Sequence, residues 1–516
     1  MLCKPICPLF GSLLDNGTTN DEAVGFLFEI LEHVFERLYD ALLYFLITHQ
    51  RIDQFKCLLL LKTMISRLWP ISLEDVASVP SLLVLSAIII LLCYHFFSAS
   101  EKPLQGYPIP TLPGIPPKKA FERHGRALLE QALIDYPDQP FQVLTGTGPR
   151  LVFPNKFASD IKHHPHLDFT KSIKVDFFPQ YPGFDGPKAI FEDNHARLIQ
   201  DTVRIRLTQS LGSLMPDLME ETTFALQEAL GTPEEWKHLP LRNAALEIVA
   251  RLSSRAFLGK DLCRDRKWID IAMNHVTDTF VAARELRMLP AILRPALLWV
   301  LPHCTKIRRQ VRGARKLISQ EFDRRMLEAR KAQASGQKPP KTADSISWMV
   351  ELSKGEPFDV VATQLSLLIG ALHTTSEALA HALHHLCQHP EIIEPLREEA
   401  ARVLRTHGWS KTALHQMKLM DSFLKESQRF HRETWGMQRF AEEEVELSDG
   451  TKIPKGCRIL VQTKHFDPEM FPEPQKFDAH RFFQKREQPG QDSDWQFIST
   501  RSDFLAFGYG RHECPG

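Results

Sequence analysis

Net charge is the first thing missing. Lys plus Arg and Asp plus Glu both number 63 in 516 residues, so the formal charge is zero, and no basic surplus points to a nucleic-acid partner. Cysteine is sparse: nine residues lie scattered, with no Cys-x-x-Cys pair and no framework spacing. That excludes a zinc ribbon or a disulfide scaffold and fits a reducing compartment. A His-Glu-x-x-His pattern is absent as well. His381, His384 and His385, at i, i+3 and i+4, therefore read as packing or solvated positions rather than as a zinc site. What is present, 43% apolar and 24% charged residues, is the balance of a globular protein with a substantial core.

Hydrophobic runs of membrane length are also rare, with one candidate. Leu82 to Phe97 is almost wholly apolar, and with Ser81 and Ser98 it spans 18 residues, against roughly 20 needed to cross a bilayer. Lys102, Lys118 and Lys119 follow, which predicts that the downstream chain faces the cytosol. No short apolar segment with a small-residue cleavage site precedes the run, so a retained single-pass anchor is expected, not a removed signal. The organisation that follows has four parts. Residues 1–78 form an N-terminal extension, with an amphipathic helix from Ala23 to Ile47; 79–98 is the transmembrane anchor. Residues 99–120 are a hinge, carrying five prolines between Tyr107 and Pro117 that no helix or central strand tolerates. Residues 121–516 are the globular domain.

Within that domain the pattern predicts mainly helix with small sheets. Phe141–Thr145 and Leu151–Phe153 read as strands about a Gly146–Gly148 turn, and Leu447–Gly456 as strand, Asp-Gly turn and strand. Lys162 to His166 reads as an exposed polar turn, because Pro165 interrupts any helix there. Val360 to Cys387 is long, apolar and free of proline, hence a buried helix. Its middle, Gly370-Ala371-Leu372-His373-Thr374-Thr375-Ser376, sets hydroxyls and an imidazole where they need partners or water. Glu426 and Arg429 share a helix face. The chain closes on Phe507-Gly508-Tyr509-Gly510-Arg511-His512-Glu513-Cys514-Pro515-Gly516. There glycines allow close backbone approach, Phe507 offers a flat apolar face, cationic side chains can meet carboxylates, and turn amides can favour a thiolate.

Taken together these segments resemble the cytochrome P-450 family from about residue 80 to the end. The haem-thiolate signature Phe-x-x-Gly-x-Arg-x-Cys-x-Gly is matched at Phe507, Gly510, Cys514 and Gly516, with His512 where the family usually has Arg. Gly370, Ala371 and Thr374 resemble the oxygen-activation segment of the family's central helix, His373 standing in for its acid. Glu426-x-x-Arg429 and Phe477-Asp478-Ala479-His480-Arg481-Phe482 resemble its buried Glu–Arg–Arg network, and Arg439 falls where a second propionate-binding arginine is common. A helix over Phe191 to Leu214 resembles the one whose arginine reaches a propionate. The family's Trp falls on Gln200 if Arg204 is the match, and Arg206 is the alternative.

The resemblance implies an α-rich cytochrome P-450 fold and a haem-thiolate monooxygenase. Cys514 would be the axial ligand of haem b iron. Phe507, Gly510, His512, Arg439 and Arg204 would hold the cofactor, and Thr374 with His373 would guide protons. Electrons would come from NADPH through a membrane-bound reductase, with the protein in the endoplasmic reticulum. The wording of 372–376 and 508–516 is most similar to fungal members that oxidise diterpenes and related secondary metabolites, so a small apolar substrate is expected. Two rivals stand beside this reading: a haem-thiolate isomerase or dehydratase, and an inactive remnant. The second is prompted by the end of the sequence at Gly516, before the family's helix that follows the cysteine; on that ground poor haem binding by this chain is expected.

Overall fold

Prolines, glycines and acidic caps set most of the element boundaries. The computed structural model describes residues 103–515 apart from 233, 236, 339–340 and 431–435. The extension and the anchor expected at 79–98 lie outside the described residues, as do the first four residues of the hinge. Counting helices of seven residues or more, the elements begin with α1 (Pro117–Asp135), β1 (Phe141–Thr145), β2 (Gly148–Phe153), β3 (Leu167–Asp168), α2 (Phe169–Phe177), α3 (Asp185–Phe191) and α4 (Asp193–Asp201). A π-helical segment, Thr202–Leu207, joins α4 to α5 (Thr208–Leu230), followed by α6 (Leu241–Leu258) and α7 (Arg266–Met288). Then come α8 (Pro302–Ala334), α9 (Ser345–Ser353), α10 (Val360–Gln388), α11 (Ile393–His407) and α12 (Lys418–Phe430), and the strands β4 (Met437–Ala441), β5 (Val445–Glu446), β6 (Lys452–Ile453) and β7 (Arg458–Val461). The chain is thus mainly helical with small sheets. No helix among the described residues is long and apolar enough to cross a membrane.

Pro117 and Pro302 open α1 and α8, where proline loses no hydrogen bond. Asp265, Asp344 and Asp359 cap α7, α9 and α10 by accepting amide protons from Trp268, Ser347 and Val361, respectively, each cap being worth about 1 kcal/mol. The proline-rich stretch is docked rather than free. The Gln142 side chain on β1 donates to the carbonyls of Leu104 and Tyr107, and the Tyr107 hydroxyl donates to Lys452 O.

The main core surrounds α10. Leu365, Leu368 and Leu372 on that helix belong to one buried cluster with Val249 and Phe257 of α6, Trp268 and Val276 of α7, Val311 and Ile318 of α8, and Ile346 of α9. A second core lies on the five-stranded sheet, ordered β1-β2-β7-β4-β3. There β2 runs parallel to β7, and β4 antiparallel to both β7 and β3. Leu151, Phe153, Met437 and Val461 bury one face of this sheet against Leu505, which anchors the start of the cysteine loop. Gly436, at φ 34°, precedes β4, where a Cβ would lie 1.4 Å from Val461 O. Only glycine fits that approach.

Asp176, near the end of α2, pins that helix to the sheet. It binds Arg150 Nη2 of β2 at 2.5 Å, Arg458 Nη1 of β7 at 2.6 Å and the Thr147 hydroxyl at 3.0 Å. Burial alone would raise its pKa. Arg150, Arg458 and Arg287 outweigh burial and hold it at about 2, below the ordinary aspartate value of 3.8. A carboxylate depressed in the folded state contributes stability that is present above pH ~4 and lost as pH falls toward ~2, here about 2–3 kcal/mol. Asp176→Asn is expected to lose that contribution at neutral pH. In urea titrations its deficit against the parent protein should shrink as pH drops from ~4 toward ~2; a deficit independent of pH would refute the assignment.

Candidate functional site

The cysteine loop is built by its own backbone and by one distant turn. Gly508 N donates to Leu505 O, Glu513 N to Gly510 O, and Cys514 N to Phe507 O at 2.8 Å. These three amides are spent on backbone carbonyls. Lys162, the first residue of the polar turn at 162–166, supplies the outside grip. Its carbonyl accepts from Arg511 N at 3.1 Å, and its ammonium lies 2.9 Å from the Tyr509 hydroxyl. Gly510 sits at φ 77° with room for no Cβ, since one would lie 2.6 Å from Lys162 O. Phe507 packs edge-on against Phe497 at 5.5 Å.

Five cysteines are described, and all are free. Cys263, Cys304 and Cys457 are buried, and burial pushes their thiols up to about 12, 11 and 11. Such thiols are inert at neutral pH. Cys387 and Cys514 are exposed, and Cys514 follows Arg511 and His512, which belong to a group of cations.

Those cations converge on His512. Arg439 on β4, Arg204 in the π-helical segment and Arg511 all act on its charge, with Asp168 opposing them. Its Nε2 is 3.7 Å from Asp168 Oδ2, without a hydrogen bond. Burial, with Arg439 next in importance, lowers the His512 pKa. Arg439 is 1% exposed. It donates to Gln438 O and Tyr509 O, its buried Nε has no partner, and burial pulls its pKa to about 10. Among the described residues it makes no ion pair. A buried guanidinium is costly; Asp168 is the carboxylate that acts on both Arg439 and His512, one carboxylate against three arginines. The sequence left Arg204 and Arg206 open. Arg206 is engaged with Glu351 at 2.8 Å, whereas Arg204 is exposed and near His512. The two lie in a π-helical turn, a distortion common at functional sites.

On α10, Gly370, Thr374 and Thr375 are exposed while Val361 to Leu368 are buried. The helix is continuous through this segment, and the Thr374 hydroxyl donates to Gly370 O at 2.7 Å. His373 points elsewhere: its Nε2 lies 3.1 Å from the hydroxyl of Thr277 on α7. Burial lowers its pKa, Glu377 opposing, which favours the neutral ring. His385 is buried and stacks on Phe477 at 4.7 Å, His381 lies 3.6 Å from Glu377, and His384 is exposed.

The expected Glu–Arg–Arg network is present and buried. Arg429 forks onto Glu426 with two bonds of 2.8 Å, and Arg481 Nε reaches Glu426 Oε1 at 3.1 Å. The remaining guanidinium donors hold the carbonyls of His465, Pro472 and Pro474, so the network staples the segment leading to the cysteine loop.

Residues 161–516 match the family model described as Cytochrome P450. The chain belongs to the cytochrome P450 family. It is 40% identical over 433 residues to cytochrome P450 monooxygenase bsc2 of Alternaria brassicicola, 82% of each chain being covered. It is 38% identical over 384 residues to cytochrome P450 monooxygenase 1 of Gibberella fujikuroi, across 74% of this chain and 87% of that one. With cytochrome P450 monooxygenase hepE of Aspergillus oryzae the identity is 37% over 426 residues, 79% and 77% of the two chains. By family this P450 is an oxidoreductase of the monooxygenase class, with haem as cofactor and electrons from a redox partner. The residues present fit that cofactor. An exposed cysteine in a glycine-bearing loop lies two residues from His512, where three arginines face the carboxylate of Asp168, a surplus of positive charge that suits a macrocycle with two carboxylates.

Sequence reasoning missed Asp168, Lys162 and Thr277. Lys162 had been noticed only as part of a polar turn. The other two are an ordinary helix cap and a helix threonine, without a local signal.

Proposed function

We propose that this P450 inserts one oxygen atom of dioxygen into a small apolar molecule of terpenoid type, using electrons from NADPH delivered by a reductase at the endoplasmic reticulum membrane. Thiolate-ligated haem b supplies the oxygen chemistry when bound. Cys514 would ligate it. Arg439, His512 and Arg204 would neutralise its carboxylates through charge-assisted bonds, Phe507 and Gly510 would bound its seat, and residues 79–98 would tether the domain to the bilayer. The observation that carries the reading is the surplus of cations around His512, two residues from the exposed thiol. The substrate class rests on the wording of 372–376 and 508–516.

Thr374 is assigned the last proton donation in this scheme. Its hydroxyl is exposed but tied to Gly370 O, a bond that one rotamer change releases. The test is turnover of terpenoid candidates with a reductase, NADPH and isotope-labelled dioxygen. One labelled oxygen per product is expected. Product formed without NADPH would favour the isomerase or dehydratase instead. Thr374→Ala is expected to keep the substrate KM within about twofold and to lower product per NADPH by roughly 10²-fold, the low end for a lost proton donor. Undiminished coupling would remove Thr374 from the scheme.

A further inference from the structure

The contact between α7 and α10 contains a threonine that bonds across the two helices. Several helix threonines spend their hydroxyls on their own helix: Thr279 donates to His275 O, Thr222 to Leu218 O, Thr363 to Asp359 O and Thr374 to Gly370 O. This is the usual local alternative for a hydroxyl in a helix. Thr277 instead bonds across to His373 Nε2, 96 residues away, at 3.1 Å. It is exposed between buried Val276 and Asp278. Among the described residues it is the hydrogen-bond partner of the His373 ring.

We infer that Thr277 is a positioning residue for proton transfer through His373, its hydroxyl serving the imidazole as acceptor and donor in turn. The inference rests on the monooxygenase reading and deepens it. A neutral imidazole carries one N–H and one lone pair. When such a ring takes a proton at one nitrogen and yields one from the other, it ends in the opposite tautomer. A carbonyl partner would bond only the Nε2–H form, and a carboxylate would do the same and add charge. A hydroxyl rotates, accepting from Nε2–H or donating to bare Nε2, so both tautomers stay bonded. In one transfer Thr277 gives its proton to Nε2 while Nδ1–H yields one to a water, and the Thr277 oxygen is reprotonated by a solvent hydronium. One proton and its positive charge pass from that hydronium to the water at Nδ1, and the threonine and the ring both end neutral. Glu377, one turn further on α10 and clamped by Arg242 at 2.8 Å, is the acidic group that acts on His373.

Thr277→Val keeps the β-branch and removes the hydroxyl; Thr277→Ser keeps the hydroxyl. The full chain, labelled with isotopic histidine and assigned by a His373→Gln variant, reports the tautomers of this ring by nuclear magnetic resonance. Both tautomers are expected in the parent and in Thr277→Ser, and a single one in Thr277→Val. In reductase-supported turnover, Thr277→Val is expected to raise peroxide released per NADPH by about tenfold with KM within about twofold, and Thr277→Ser to restore coupling. An unchanged tautomer ratio and coupling in Thr277→Val, or equal damage in Thr277→Ser, would overturn the inference. If the parent protein forms no oxygenated product, the functional reading falls, while the tautomer measurement still decides whether Thr277 governs His373.

Discussion

Arg429→Ala is expected to destabilise the folded domain by about 3–5 kcal/mol, the cost of leaving one partner of a buried ion pair alone. Glu426 and Arg429 are both 0% exposed. Removing the guanidinium strips two 2.8 Å bonds from the carboxylate and leaves it with Arg481 and the Asp478 amide. It also orphans the carbonyls of His465 and Pro474. Against the roughly 5–15 kcal/mol of a whole domain, that loss puts much of the protein near its unfolding threshold. Arg429→Lys should rescue little, because an ammonium cannot reproduce the planar fork. Replacing Glu426, Arg429 and Arg481 together with apolar residues of similar volume should cost less than Arg429→Ala alone, since no charge is then stranded. Urea unfolding of the three variants measures this. A single-variant midpoint equal to that of the parent would show that the network does not hold the fold.

The parts of this architecture that were legible in the sequence were written locally. Val360–Cys387 was readable because an apolar stretch without proline admits few alternatives, and the helix ends one residue later, at Gln388. The Glu426–Arg429 pair was readable because residues three apart on a helix must meet. Arg481 was placed by resemblance, and its bond to Glu426 spans 55 residues. Phe191 to Leu214, read as one helix, is broken at Glu192, whose ψ of 113° is extended, and passes through a π-helical turn. No proline or glycine stands at the break or in the π-helical turn, and Gly212 further on stays helical, so composition carried no warning. Arg204 and Arg206 could not be told apart because Glu351, which takes Arg206, is contributed by a distant helix. Thr277 was invisible for the same reason.

Cys514→Ser is expected to produce the opposite pattern to Arg429→Ala: an intact fold with no monooxygenase activity. The loop holds its shape through backbone bonds, Cys514 N to Phe507 O, Gly508 N to Leu505 O and Arg511 N to Lys162 O, all of which serine keeps. The side chain is exposed, so no core packing is lost, and haem-free stability should stay within about 0.5 kcal/mol of the parent. What serine removes is the thiolate, the ligand whose electron donation favours O–O cleavage. The reduced carbon-monoxide spectrum should lose the red-shifted thiolate band, and labelled-oxygen incorporation should fall to the haem-free background. Cys387→Ser is the matching control, being the other exposed cysteine described but lying on α10 away from any loop of this kind; its spectrum should be unchanged. A thiolate band that survives Cys514→Ser and vanishes in Cys387→Ser would move the ligand. One that survives both would require a buried cysteine or a sulfur outside the described residues, and the cations around His512 would then need a different explanation.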